Sequence, residues 1–271
     1  MFKKLCGYSA TPHFAVFSMN HQRAFLIQNP GHIGTIGTTE KFLHFPNGSC
    51  LEPMQLSDFH LEILPPAQKR VWCELSQVPP HFVLYGGTAL ALQLGHRTSL
   101  DFDFFTSQSF KPEDLLNELL LLKGAKVLQN VTQTLTVSVA RGELIKLSFF
   151  GNLPLRRVGT PRSTPDGVLK LASLLDLAGS KAAVITQRAE FKDYLDLLAL
   201  VRSGISLAQA MGAARSIYGE QYNPLITLKS LTFFDDGDLH KLTDEQKSQL
   251  IQMASTQISL PEIPVLSDTL S

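Results

Sequence analysis

The chain is poor in cysteine. Cys6, Cys50 and Cys73 are odd in number and share no metal-ligand spacing, so neither a disulfide framework nor a zinc knuckle is legible. A reduced, cytoplasmic setting is the expectation. Charge of one sign is also missing: 24 Lys and Arg balance 24 Asp and Glu. No gross basic field advertises nucleic-acid binding, and any RNA contact must be local. No stretch reaches the ~20 apolar residues of a membrane span, so no membrane partner is expected. Behind Lys3-Lys4, the residues His13, Ser18, Asn20, His21 and Arg23 break any signal-peptide core. Internal repeats and low-complexity tracts are absent too. What is present is ordinary for a globular protein, 44% apolar and 18% charged over 271 residues, enough for one large or two small domains.

The most informative stretch begins at Tyr85-Gly86-Gly87-Thr88 and ends at Asp101-Phe102-Asp103-Phe104-Phe105. Phe82 to Tyr85 has the apolar content of a strand. Gly86-Gly87 makes a tight turn with bare backbone N–H groups, and Thr88 is expected to cap a short helix over 89–94, whose N-terminus attracts anions. In the next strand, expected over 100–105, Asp101 and Asp103 are two residues apart and face one side, while Phe102 and Phe104 face the other. Convergent carboxylates repel unless a proton or a cation lies between them. Oxygen ligands at this spacing suit Mg²⁺ carrying a phosphate substrate. The bland alternative is two acids on a solvated strand face.

Around this motif the pattern is mixed. Residues 1–53 show no periodicity, with turn signals at Asn29-Pro30-Gly31 and Pro46-Asn47-Gly48, and are expected to be dispensable: either Met54 is the functional start or they form a poorly patterned extension, rather than a separate folded domain. Helix is expected over 56–77. Pro112 opens another helix that Gly124 stops, and strands follow near 126–129, 133–140 and 143–150. The Pro and Gly cluster at 152–167 is the expected hinge, with helices from Pro165 to about Ile217 and again over 244–258. The expectation is therefore an α/β (α+β mixed sheet) domain over 54–151 and a helical domain over 165–260.

Strand, Gly-Gly, short helix and Asp-x-Asp together resemble the polymerase-beta-like nucleotidyltransferases. The wording Gly-Gly-Thr-Ala-Leu-Ala-Leu, Gly95-His96-Arg97 and Asp-Phe-Asp-Phe-Phe most resembles the AbiEii/AbiGii toxin family, nucleotidyltransferase-like toxins of a type IV toxin–antitoxin system. A second block, Asp176 to Lys181 and then Arg188 to Leu197 with Lys192-Asp193-Tyr194-Leu195-Asp196-Leu197 at its end, resembles that family's lysine helix and its Lys-Asp-x-x-Asp-Leu element. Leu228 to Asp236 looks like its closing segment.

The resemblance implies a nucleotidyltransferase-like core followed by a helical domain. It also implies Mg²⁺-dependent transfer of a nucleoside monophosphate from an NTP to a hydroxyl on RNA, tRNA included, or on protein, and an antitoxin partner. It makes Asp101 and Asp103 the metal ligands and catalytic carboxylates, one of them placed to draw the proton from the attacking hydroxyl. Gly86, Gly87 and Thr88 would cradle phosphates. Arg97 would reach a phosphate, or alternatively cap a helix end or pair with Asp101. Lys181 and Lys192 would approach the nucleotide, with Asp193 and Asp196 orienting them or joining the centre. Without the resemblance, Lys192 and Asp196 are an i, i+4 surface pair worth ~0.3 kcal/mol.

One position departs from the pattern. The strand carrying Lys146, Ser148 and Phe150 on one face has Ser148 where many nucleotidyltransferases place a third carboxylate, and Glu143 lies on the opposite face. A serine hydroxyl is a poor Mg²⁺ ligand. Two other functions therefore stay open: a non-catalytic nucleotide-binding regulatory module, and a transferase acting on a small molecule such as an antibiotic.

Overall fold

The computed structural model describes residues 59–256 and 259–271. The expectations for residues 1–53, and for Met54 as a start, lie outside the described residues. Helix α1 (Pro66–Trp72) opens on the expected proline and continues as a 3-10 turn to Gln77. Strand β1 (Val83–Tyr85) runs directly into α2 (Gly86–Leu94), which ends at Gly95 with φ of 62°. Strand β2 (Phe102–Phe105) follows, then α3 (Pro112–Glu118) and the antiparallel strands β3 (Lys126–Val131), β4 (Thr134–Ala140) and β5 (Leu144–Phe150).

The helical pattern expected from Pro165 begins later than predicted. Arg162–Ser163 (β6) and Lys170–Leu171 (β7) pair as a hairpin around Pro165-Asp166-Gly167. Gly167 adopts φ of 71°, and Asp166 Oδ2 accepts a 2.7 Å bond from Trp72 Nε1. The turn chemistry of Pro-Asp-Gly thus ties much of the expected hinge into the sheet. Helices α4 (Leu174–Val184), α5 (Phe191–Arg202), α6 (Leu207–Tyr218), α7 (Pro224–Ser230) and α8 (Asp244–Ser255) complete the chain.

Among the described residues the sheet is mixed, with order β3-β4-β5-β2-β1-β7-β6. β1 and β2 are antiparallel, placing Tyr85 beside Asp103. β2 and β5 are parallel, placing Asp103 beside Ser148. Phe102, Phe104 and Phe149 are fully buried, and Phe104 stacks on Phe149 with ring centroids 5.1 Å apart. One hydrophobic core continues from these rings through Leu84 and Leu171 to Leu177 and Leu197 on α4 and α5. No single helix among the described residues is long and apolar enough to cross a membrane.

Candidate active site

Strand β1 gives way to α2 without a loop because Gly86 takes φ of 73°, a conformation that favours glycine. A Cβ at Gly86 would also stand 3.0 Å from Asp103 Oδ2, so the turn lies against that carboxylate. At Gly87 a Cβ would meet Arg97 Nη2 at 2.5 Å. The helix begins earlier than the sequence suggests, which moves its cap to Tyr85, and no side chain caps it. Thr88 is therefore not the cap. It lies buried in the first turn, and its hydroxyl donates to the Asp101 carbonyl, locking the helix to the start of β2. The first N–H groups of α2 consequently lack intrahelical partners beside two carboxylates.

Asp101 and Asp103 project from one face, as alternation predicts, with Phe102 and Phe104 buried on the other. Their surroundings differ. Asp101 Oδ2 is 2.8 Å from Lys146 Nζ on the neighbouring strand, and this pair is only partly exposed. Asp103 Oδ1 is buried and has no hydrogen-bond partner among the described residues. Ser148 Oγ is close enough to ease the charge on Asp103 without forming a well-directed bond to it. Burial first, and the Asp101 charge second, push the Asp103 carboxyl above the usual range, against smaller opposing effects of Lys146, Ser148 and Lys181.

Among the described residues no three His, Cys, Asp or Glu side chains gather into a metal cage. A cage is not what Mg²⁺ needs when it arrives with a nucleotide, because one or two carboxylates plus phosphate and water oxygens complete its shell. An orphaned buried carboxylate oxygen next to a second carboxylate fits such an ion.

Beneath this centre lies a buried ion cluster. Ser173 caps α4 by accepting from the Asp176 N–H, and Gly179 lets α6 approach α4 closely. That helix delivers Lys181, whose Nζ is 2.6 Å from Asp193 Oδ1 and 2.7 Å from Asp196 Oδ2 on α5. Arg97 forks onto Asp196, Nε donating to Oδ1 at 2.6 Å and Nη2 to Oδ2 at 2.8 Å. His96 Nε2 lies 2.7 Å from Asp196 Oδ1, and Arg188 Nε donates to Asp193 Oδ2 at 2.8 Å. Both aspartates are completely buried. Burial opposes their ionisation, but Lys181 first and then the neighbouring cations and hydrogen bonds hold both below the usual carboxylate range, Asp196 well below it. Burial likewise opposes the charge on Lys181, and Asp196 and Asp193 overcome it. The charge of Lys181 also reaches Asp103.

The model of the family described as nucleotidyl transferase AbiEii toxin, type IV TA system, matches residues 70–264. The chain belongs to this family. An uncharacterized protein from Aquifex aeolicus is 34% identical over 159 residues, which span 57% of this chain and 74% of that protein. A structure described as a nucleotidyltransferase from H. pylori is similar with a TM-score of 0.45 and 18% identity, covering 69% of this chain and 90% of that one. The nucleotidyltransferase toxin MenT4 from Mycobacterium tuberculosis gives a TM-score of 0.48 and 16% identity, covering 70% and 80%.

In this AbiEii-family chain the fold gathers Gly86, Gly87, Thr88, Asp101 and Asp103 at one end of β1 and β2. The Lys-Asp-x-x-Asp element divides. Asp193 and Asp196 turn inward to the cluster, whereas Lys192 turns away and pairs with Glu190 at 3.1 Å. The i, i+4 surface pair of Lys192 with Asp196 does not form, because Asp196 is fully buried and held by Arg97, Lys181 and His96. Arg97 neither caps a helix nor pairs with Asp101; Asp196 takes its fork. Sequence reasoning missed Arg188 and the bond from His96 to Asp196. Arg188 stands just ahead of the Lys-Asp-x-x-Asp element, the one sequence signal that could have found it. His96 adjoins Arg97 and carried no separate signal.

Proposed function

We propose that this protein is a Mg²⁺-dependent nucleotidyltransferase toxin that transfers a nucleoside monophosphate from an NTP to a hydroxyl on RNA or protein. It works in the cytoplasm and is held in check by a separately encoded antitoxin, as a type IV system requires. The observation that supports this most is the buried Asp103 oxygen beside Asp101, without a hydrogen-bond partner among the described residues, at the start of α2. A helix N-terminus with free N–H groups holds phosphate oxygens, and the adjacent carboxylates hold the cation that travels with them.

When bound, Mg²⁺ neutralises charge developing on the phosphates and the departing pyrophosphate. The protein does the rest by positioning. Asp103 and Asp101 would hold the ion. The N–H groups at Gly86, Gly87 and Thr88 orient the phosphates, and the absence of a Cβ at both glycines lets the backbone approach. In the transfer, the acceptor oxygen bonds to the α-phosphorus, the bond to the pyrophosphate oxygen breaks, and the acceptor proton leaves to a carboxylate or water. Lys181, Asp193, Asp196 and Arg97 keep the turn and β2 in register.

The test is to incubate the purified protein with each α-labelled NTP, Mg²⁺ and total RNA or cell protein, and to find the labelled acceptor. The proposal expects label in RNA or in a protein. Nucleotide binding without transfer to any acceptor would favour a non-catalytic nucleotide-binding module, a reading that Ser148 beside Asp103 supports.

A further inference from the structure

The structure places a lysine against one of the two candidate metal-binding carboxylates. Register aligns Phe102 with Leu147 and Asp103 with Ser148 across parallel β2 and β5. One step back along both strands, Lys146 stands beside Asp101, and its ammonium lies 2.8 Å from Asp101 Oδ2. Its charge is also felt at Asp103. The face therefore carries two carboxylates, one cation built into the chain and one hydroxyl. In two-metal phosphoryl chemistry, a pair of ions about 3.5–4 Å apart needs carboxylates enough to bridge and flank both. Here the position that could flank a second ion is Ser148, and one oxygen of Asp101 is already engaged by an ammonium.

We propose that Lys146 is a tethered cation standing in for one of two divalent ions, so that this centre binds a single ion, through Asp103 and the remaining oxygen of Asp101. This rests on the nucleotidyltransferase reading above and specifies how that site handles charge. The lysine also supplies a fixed positive charge to a substrate oxygen at the Asp101 side. A fixed ammonium beside Asp101 should weaken binding of any divalent ion there by repulsion, and removing it should be felt directly in metal binding.

The experiment counts Mn²⁺ ions bound by the full chain in the presence of an NTP whose α,β-bridging oxygen is replaced by methylene, using electron paramagnetic resonance and calorimetry. Wild type is expected to bind one Mn²⁺ per chain beyond any carried by free nucleotide. Lys146→Gln is expected to bind the first ion on the order of tenfold more tightly and to admit a second at higher Mn²⁺. Lys146→Arg, which keeps the charge, is expected to remain at one. Melting curves for both variants verify folding. Two ions in wild type would overturn the proposal and leave nucleotidyl transfer standing. So would a Lys146→Gln protein with wild-type stoichiometry and affinity, because the lysine would then be a surface ion pair only. If no NTP analogue brings any Mn²⁺ to wild type, the nucleotidyltransferase reading fails, and this inference with it.

Discussion

Asp101 and Asp103 at the start of β2, the first just ahead of the strand, and Asp193 and Asp196 on α5, are both pairs of carboxylates a few residues apart on one side of the chain. Their surroundings are opposite. The α5 pair is fully buried and its oxygens are taken by Lys181, Arg97, Arg188 and His96. The β2 pair has one lysine, on Asp101, and a buried oxygen of Asp103 with no partner among the described residues. The first pair is held ionised by neighbours, while the second includes a group driven toward protonation by burial and by its own twin. A carboxylate whose charge the protein has already met holds structure together. One whose charge is unmet is free to receive something from outside.

Four substitutions would break or sharpen this contrast. The largest effect is expected on activity from Asp103→Asn. On the proposed function, in which Asp103 holds the cation, its loss should lower nucleotidyl transfer by about 10³-fold or more, the several kcal/mol that a bound cation supplies. Stability should hold or rise at neutral pH, since the raised Asp103 pKa means its charge opposes folding there. Activity assays and melting curves on the same sample decide it; a large fall in melting temperature would assign Asp103 to the structural class.

Asp196→Asn should do the reverse. Removing one partner leaves Arg97 and Lys181 buried with a deficit of negative charge, at a cost of about 3–5 kcal/mol. Denaturant unfolding measures this directly. The same contrast predicts the pH response. Because the folded pKa values of Asp193 and Asp196 are depressed, their stabilisation is complete above the ordinary carboxylate range and is lost progressively as pH falls from that range toward and through the depressed values. Asp103 has the opposite sign: its protonated form adds stability at low pH, which disappears as pH rises through its raised pKa. Wild type minus Asp196→Asn stability should therefore shrink on acidification, and an unchanged difference between pH 7 and pH 3 would contradict the cluster's ionised state.

Gly86→Ala probes the ground between the two pairs. The left-handed backbone should cost about 1–2 kcal/mol, and the new Cβ would press on Asp103 Oδ2. Transfer should suffer more than stability. A variant as active as wild type would show that the turn can move away from the carboxylate. The smallest effect is expected from Lys192→Ala. Its partner Glu190 is a partly exposed ion-pair neighbour, so the change in stability should be under about 1 kcal/mol. Activity near wild type would separate Lys192 from the buried members of its own motif, whereas a large loss would return it to the catalytic machinery.

The legible parts of the sequence were those governed by local rules. Two-residue alternation put Phe102 and Phe104 on one side of β2 and the aspartates on the other. Pro112 opened α3, and the three strands from Lys126 to Phe150 followed from their strand patterning, the last two around Arg141-Gly142. Local rules also failed at definable points. Thr88 has the chemistry of a cap, but glycine's freedom let the helix begin three residues early and turned that hydroxyl inward to the Asp101 carbonyl. Pro165 suggested a helix start, yet Pro-Asp-Gly closed a hairpin that β1 could extend in parallel.

What the sequence determined by itself was the order of elements from β1 to β5, the facing of Asp101 with Asp103, and the family, because each rests on motifs of residues close together along the chain. The tertiary structure decided which charges meet. Lys181, Arg97, His96 and Arg188 converge on two aspartates from separate segments, and Lys146 reaches Asp101 only because β5 lies parallel to β2 in one register. Coulomb attraction and desolvation act through space over a few ångströms, and only the packed fold sets those distances.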